Sequence, residues 1–380
     1  MRLRIAMFYH SLVSDWNHGN AHFLRGIAAE LQAHGHDLRI FEPHDSWSRM
    51  NLLEQAGPAA IEEFHRAFPQ LRSTPYRTGD LRVSEWLDGA DLAIVHEWNE
   101  PGLVAAVGRY RRSRSDLRIL FHDTHHRAVT APEELARFDL SEYDGVLAYG
   151  ASLKDAYVKQ GWGRQVHVWH EAADTRVFYP RPDHAPSGDV VWIGNWGDDE
   201  RSDEIREFFI RPVANRHWTA QVRGVRYPES AREELRTAGI SYGGWIPNFQ
   251  VPELFARYRA TVHVPRRPYT VQLPGIPTIR PFEALACGIP LVSAQWNDTE
   301  GLFRVGHDFL MARNGHEMEG YLRDVIHDRD LAKELASAGL ETIRSRHTCA
   351  HRVDQLLSIY EDMRPVPSQQ ETACSSGVSL

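Results

Sequence analysis

The sequence is poor in cysteine, has no long apolar run and contains neither of the glycine-rich nucleotide fingerprints. Its three cysteines in 380 residues, Cys287, Cys349 and Cys374, are odd in number and widely spaced. That excludes a paired disulfide framework and a thiolate zinc site, and it fits a reducing compartment. No window approaches the roughly 18 uninterrupted apolar residues of a membrane span. Met1 to Tyr9 is too short for a signal-peptide core and reaches His10 and Ser11 without a small-residue cleavage site, so the expected location is the cytoplasm. G-x-G-x-x-G and G-x-x-x-x-G-K-[ST] are both missing, which counts against dinucleotide and P-loop chemistry. No internal repeat stands out beyond an alternation of strands and helices.

What is present is the composition of a soluble globular protein, 42% apolar and 25% charged, long enough for two cores. A net charge of −8 argues against nonspecific nucleic-acid binding by the whole surface. One basic stripe, Arg109 to Arg118, holds five arginines. It can attract an anionic membrane surface or an acidic acceptor, or it can be the solvated end of a helix.

The first half alternates. Leu3 to Tyr9 is an apolar run, Ala21 to Ala33 repeats its apolar residues at helical spacing, and Asp37 to Phe41 is a second strand after Gly35. Strands follow at Leu92 to His96, Arg118 to His122, Gly145 to Tyr149 and Gln165 to Trp169. The stretch 175–188 is rich in proline and poor in helix, and it reads as a linker. The rhythm then restarts with strands at Asp189 to Ile193, Thr219 to Val222, Ala260 to Val264 and Pro290 to Ser293. The end is helical, Met318 to Arg346 with a break near Asp328, then Cys349 to Met363, before a small, polar tail expected to be disordered. Asp328-Arg329-Asp330 lies in that helical part and reads as a solvated break. Two doubly wound α/β domains with a shared cleft follow from this pattern.

Several loops at strand ends carry chemistry. His10, Trp16, His18 and Gly19 lie between the first strand and first helix, where backbone N–H groups can bind an anion and aromatic rings can stack on a ligand, although a Trp there can also simply pack. His122, Asp123, His125 and His126 crowd the end of another strand. A metal cluster is one reading, but neighbouring residues diverge in direction and no second ligand cluster stands out. Gly194 ends a strand just before Arg201, a guanidinium able to form bidentate bonds to phosphate, although Asp198, Asp199, Glu200 and Asp203 crowd it. Arg280 to Ser293 places Glu283 in the first turn of an apolar helix that stops at Gly288-Ile289-Pro290 and enters a buried strand.

This last run resembles the nucleotide-sugar site of the group 1, or family 4, glycosyltransferases. So do the turn Ala172-Ala173-Asp174 closed by Phe178-Tyr179-Pro180, the glycine loop after Ile193, the Gly243 to Phe255 segment and His122 at its strand end, all in the family's order. The resemblance implies an α/β fold of the GT-B type, two Rossmann-like domains facing a central cleft, with the C-terminal helices packing back toward the first domain. The corresponding division is an acceptor domain at 1–174, a linker at 175–188, a donor domain at 189–347, a returning helix at 348–364 and a tail at 365–380. It implies transfer of a sugar from a nucleotide diphosphate sugar, retaining and without a metal or other cofactor, to a glycan, a lipid-linked acceptor or a small molecule. Polysaccharide biosynthesis is the usual setting.

In the same terms, Glu283 holds the donor ribose, and Arg201, Arg280 and Arg223 face the diphosphate. Gly194, Gly275, Ile276 and Thr278 offer backbone to phosphates or sugar, and main chain near Ile246 reads the base. His122 and Asp123 are the catalytic candidates. A usual first glutamate, eight positions before Glu283, is missing: Gly275 stands there. A sugar-nucleotide epimerase, a sugar phosphorylase and a non-catalytic binding protein share this plan and differ in whether sugar passes to an added acceptor.

Overall fold

The alternation resolves into two parallel sheets in the computed structural model, which describes residues 2–181 and 185–363. Pro182 to His184 of the linker, Cys374 and the whole tail from 365 lie outside the described residues. The first sheet has strands β1 (Arg4–Phe8), β2 (Asp37–Pro43), β3 (Thr74–Tyr76), β4 (Leu92–His96), β5 (Arg118–Asp123), β6 (Gly145–Ala148) and β7 (Val166–Val168), in the spatial order β3-β2-β1-β4-β5-β6-β7. The second has β8 (Gly188–Ile193), β9 (Ala220–Arg223), β10 (Ile240–Tyr242), β11 (Tyr258–His263), β12 (Leu291–Ala294) and β13 (Leu310–Ala312), in the order β10-β9-β8-β11-β12-β13. Central strands such as β4 and β5 are buried along their whole length, because crossover helices cover both faces of the sheet. In each sheet the order reverses beside its first strand, between β1 and β4 and between β8 and β11. A parallel sheet opens a crevice outside the carboxyl ends of its strands at such a point.

The chain crosses between the sheets twice, and the crossings touch. Ala173 N–H donates to the His347 carbonyl (3.0 Å) and Cys349 N–H to the Ala173 carbonyl (3.0 Å). Phe178, in the stretch read as linker, is fully buried in the second domain's core. The terminal helix Cys349–Asp362 then lies on the first domain, placing Val353, Leu356, Ile359 and Tyr360 in one cluster with Ile27 and Leu31 of the helix Ala21–Ala33. Trp169 Nε1 donates to the Arg352 carbonyl (2.9 Å), and Gln355 Nε2 to the Val168 carbonyl (2.8 Å).

Gly26 is what lets these two helices approach, since a Cβ there would lie 2.4 Å from Cys349 Sγ and 2.9 Å from Asp174 Cβ. Gly26→Ala is therefore expected to cost about 1–3 kcal/mol through overpacking. A thermal melt followed by circular dichroism checks it; an unchanged or raised Tm would show that the helix does not need this approach.

One local expectation is corrected. The helix Ile279–Ala286 starts at Ile279 and tolerates Pro281 within its first turn, so Glu283 falls in its second turn, away from the N-terminal dipole. Within the arginine stripe, Arg111 pairs with Asp144 (3.2 Å), Arg112 with Glu142 (2.8 Å) and Arg114 with Asp116 (2.8 Å). Arg118 donates to the carbonyls of Ser115 and Met363. Asp328 caps the helix Arg329–Arg346, accepting from Asp330 N and Leu331 N at 3.0 Å each. Among the described residues no helix is long and apolar enough to cross a membrane.

Candidate functional site

The two crevices face each other and enclose one cleft of about 340 Å³. Its walls come from the segments that leave the strands at their carboxyl ends. Asp15 and Asn17 to Asn20 follow β1, Trp98 follows β4, Thr124 and His125 follow β5, Tyr149 follows β6 and Glu171 follows β7. Gly194, Asn195 and Arg201 follow β8, Arg223 closes β9 and Gly224 follows it, Trp245, Ile246 and Asn248 follow β10, and Pro265 and Arg266 follow β11.

The second domain's wall is cationic, with Arg201, Arg223, Arg226, Arg266 and Arg280 all lining the cleft. Most of these are engaged by acids or carbonyls. Arg226 pairs with Asp198 (2.6 Å) and Arg266 with Glu200 (2.6 Å), while Arg280 pairs with Glu283 and Arg223 donates to the Gly243 carbonyl. Arg201 differs. It donates to the carbonyls of Asn195 (2.6 Å) and Val264 (3.2 Å), and its Nε has no partner among the described residues. Burial draws its pKa down to about 9, helped by the neighbouring cations Arg266 and Arg280. A guanidinium held in this way, with no carboxylate bonded to it among the described residues, is a site prepared for an anion.

The backbone is shaped for close approach here. A Cβ at Gly224 would sit 2.1 Å from the Gly194 carbonyl oxygen, so these two turns can touch only as glycines. Thr278 takes φ +59° just before the helix Ile279–Ala286, and Thr278, Ile279 and Arg280 line the cleft. A β-branched residue at positive φ is strained by about 1–3 kcal/mol, and such strain clusters where a ligand is held.

Asp15 ties the two walls together. Its carboxylate accepts from Arg25 Nη1 (2.8 Å) on its own domain, and from Trp245 Nε1 (2.9 Å) and Asn248 N (3.0 Å) on the other. Glu300 makes a second tie, accepting from Ala151 N (2.8 Å) and bonding His170 Nε2 (2.9 Å).

Glu283 is completely buried and does not line the cleft. One carboxylate oxygen accepts from Asn248 Nδ2 (2.7 Å), and the other from Arg280. His22 Nε2 accepts from Asp174 N (2.9 Å), so its proton sits on Nδ1, 3.3 Å from Glu283 Oε1. Burial holds the His22 pKa at about 3, so this is a contact of a neutral ring, whose Nδ1 hydrogen bond goes to Asn248 Oδ1 (3.3 Å). Burial also raises the Glu283 pKa, against the pull of Arg280 and Asn248. What Glu283 presents to the cleft is therefore Arg280 and Asn248, set in place.

Other residues proposed from sequence divide in the same way. His122 is fully buried; its Nδ1 shares a 2.8 Å hydrogen bond with the Tyr9 hydroxyl, and its ring packs edge-on to Trp169. Asp123 accepts from the Tyr157 hydroxyl (2.7 Å) and from His125 N (2.9 Å). Neither reaches the cleft, because β5 runs on through Asp123 and only Thr124 and His125 emerge. The three imidazoles do not share one point: His122 points to the core, while His125 lines the cleft with its ring 4.0 Å from that of His126, which bonds the Thr130 hydroxyl (2.8 Å). No metal-binding group of three or more His, Cys, Asp or Glu assembles among the described residues. His18 and Gly19 line the cleft, but His10 and Trp16 do not; they back Trp47, whose ring lies 4.5 Å from His10 and 6.3 Å from Trp16. Gly194, Ile246, Arg223 and Thr278 line it. Gly275 and Ile276 are absent from the lining, since Ile276 is buried in the first domain's core and Gly275 packs on Thr299.

Residues 201–358 match the sequence model of the family described as glycosyl transferase-like. The match lies on the second domain and runs into the returning helix. Solved structures extend the likeness to the whole GT-B fold. Sucrose-phosphate synthase from Thermosynechococcus elongatus is 15% identical with a TM-score of 0.64, covering 95% of this chain and 99% of its own. HepE of Anabaena, in complex with UDP and glucose, is 14% identical with a TM-score of 0.69, covering 95% and 100%. The T4 phage enzyme BGT, in complex with its UDP-glucose substrate, is 12% identical with a TM-score of 0.59, covering 96% and 100%. No curated protein matches the sequence. The family match thus includes Arg201 and Arg280 of the cationic wall, on a chain with the GT-B fold.

Proposed function

We propose that this chain transfers a sugar from a UDP-sugar to an acceptor hydroxyl, with retention at the anomeric carbon and without a metal. The observation that carries the reading is Arg201, a cleft-facing guanidinium without a bonded carboxylate among the described residues, beside Arg280 and the start of the helix Ile279–Ala286. Together they would neutralise a diphosphate leaving group, which is the main electrostatic demand of the reaction. Uridine follows the nucleotide bound by two of the structural neighbours.

Retention is supported by what the cleft offers as base or nucleophile. Asp15 and Glu171 are the acids in its lining. Asp15 is engaged by three donors, and burial pushes Glu171 up to about 8, leaving it protonated at neutral pH. His18 and His125 are held well below 6.5 by burial, so both are weak bases. The acceptor proton then goes most readily to a phosphate oxygen of the departing diphosphate, on the face the diphosphate leaves. The acceptor, whether glycan, lipid-linked or small molecule, enters along the first domain's wall of Trp47, Trp98 and His125.

Metal independence is tested directly. UDP release from a UDP-sugar should be unchanged in EDTA and unstimulated by added Mn²⁺ or Mg²⁺; a requirement for either ion would move charge neutralisation from the arginines to a metal. The transfer itself is tested by UDP release that depends on added acceptor.

A further inference from the structure

Glu171 is left without a role in the transfer described above. It follows β7, lines the cleft, is 6% exposed and accepts a long hydrogen bond (3.4 Å) from Asn20 Nδ2. Two buried polar atoms of the same cleft lining, Asn20 Oδ1 next to it and His18 Nε2 two residues earlier in that loop, have no partner among the described residues. Buried polar groups are rarely left unbonded, because each costs about 1–3 kcal/mol when it is. A ligand bearing several hydroxyls, each both donor and acceptor, would complete this corner.

The corner also lies where a sugar attached to a bound diphosphate would fall. A Cβ at Gly19 would be 3.4 Å from Ile279 Cγ2, so the start of the first domain's first helix meets the first turn of the helix Ile279–Ala286. That turn lines the cleft through Thr278, Ile279 and Arg280, next to the proposed phosphate contacts. Position 275, by contrast, cannot serve, since Gly275 takes φ +93° and a Cβ there would lie 2.4 Å from Thr299 Oγ1.

We propose that Glu171, with Asn20 and His18, recognises the hydroxyl groups of the donor hexose from the first domain, a task that Gly275 leaves open on the second. This rests on the UDP-sugar reading. The groups facing Glu171 are Asn20, Glu283, Arg280, Tyr149 and Tyr269. Burial is the first cause of its raised pKa; Glu283 adds to the rise, while Asn20 and Arg280 oppose it. Both tyrosines are held neutral by burial. Below pH 8 the carboxyl is an acid that can donate one hydrogen bond and accept another, and above pH 8 it loses the donor.

The experiment is titration of the full chain and its variants by calorimetry with UDP and with UDP-glucose, UDP-galactose and UDP-N-acetylglucosamine, at pH 7 and pH 9. The readout is the ratio of UDP-sugar to UDP affinity, which cancels effects on the nucleotide half. In the wild type this ratio should fall by about tenfold between the two pH values, the scale of one lost hydrogen bond in a buried site. Glu171→Gln, which keeps a donor and an acceptor at both pH values, should hold the ratio near its pH 7 level throughout. Glu171→Ala should lower the ratio about tenfold at pH 7 while UDP affinity stays at the wild-type value. The proposal is overturned if Glu171→Ala leaves the ratio unchanged, if UDP and UDP-sugar weaken together, or if Glu171→Gln keeps the wild-type pH slope. Binding of neither UDP nor any UDP-sugar by the wild type would instead remove the donor reading, and this inference with it.

Discussion

Arg201→Ala is expected to weaken UDP binding by about 1.5–3 kcal/mol and to lower kcat/KM for transfer by a further factor of about 10²–10³. The first figure is the scale of a charge-assisted hydrogen bond to phosphate. The second is the scale of a donor aimed at charge that grows as the diphosphate departs. Arg201→Lys should recover part of the affinity and little of the rate, because an ammonium keeps the charge but not the planar fork.

Stability separates this outcome from damage to the fold. The site disfavours the Arg201 charge, as its lowered pKa shows, so the protonated side chain costs stability throughout the range below about pH 9. Arg201→Met, which keeps the stem that packs near the Trp192 ring (5.2 Å from Cζ), should therefore lose UDP binding while its Tm stays within a few degrees of wild type. Calorimetry with UDP and a thermal melt check both halves. Wild-type UDP affinity in Arg201→Ala would assign the diphosphate to another of the cleft arginines.

The parts of the fold that could be read in the sequence are those whose burial leaves a periodic trace. The helix Ala21–Ala33 and the buried runs of β4 and β5 are two-sided or one-sided apolar patterns long enough to recognise. β3, β10 and β13 were not legible. Each is three residues long and lies at a sheet edge, where one neighbouring strand supplies all the pairing and no alternation has room to develop. β3 even contains Pro75, tolerated because an edge strand has one unpaired side.

The site was legible by position and not by side chain. Strand ends in a doubly wound sheet face a common crevice, so the loops after β1, β5, β8 and β10 could be chosen from topology alone. Which residue of a loop turns toward the crevice depends on where the strand stops, and a shift of two residues exchanges His122 for Thr124 and His125. Asp15, sitting in a loop already singled out, could have been found as the one carboxylate beside an aromatic pair. Trp47, Trp98 and Glu171 had no local signal. Trp47 begins the helix Trp47–Ala56, and its approach to the cleft over His10 is set by tertiary packing.

Glu283→Ala is expected to weaken UDP binding at least tenfold and to destabilise the protein by about 3–5 kcal/mol, the cost of leaving one partner of a buried ion pair alone. Arg280 loses its carboxylate, Asn248 its 2.7 Å acceptor and His22 its 3.3 Å contact, all at once. The decisive comparison is between UDP and 2′-deoxy-UDP. If Glu283 gripped the ribose directly, as its resemblance to the family implies, the variant would lose the wild-type preference for UDP and bind the two nucleotides alike. The geometry predicts otherwise. Both carboxylate oxygens are engaged by protein donors, and the side chain is fully buried behind the cleft wall, so Glu283 works by fixing Arg280 and Asn248. Both nucleotides should then weaken by the same factor, with the preference for the 2′-hydroxyl intact. A selective loss of that preference would place the carboxylate on the ribose after all. It would also require the Asn248 contact to open when nucleotide binds, and the hydrogen bond between Asn248 N and Asp15 that joins the two domains to loosen with it.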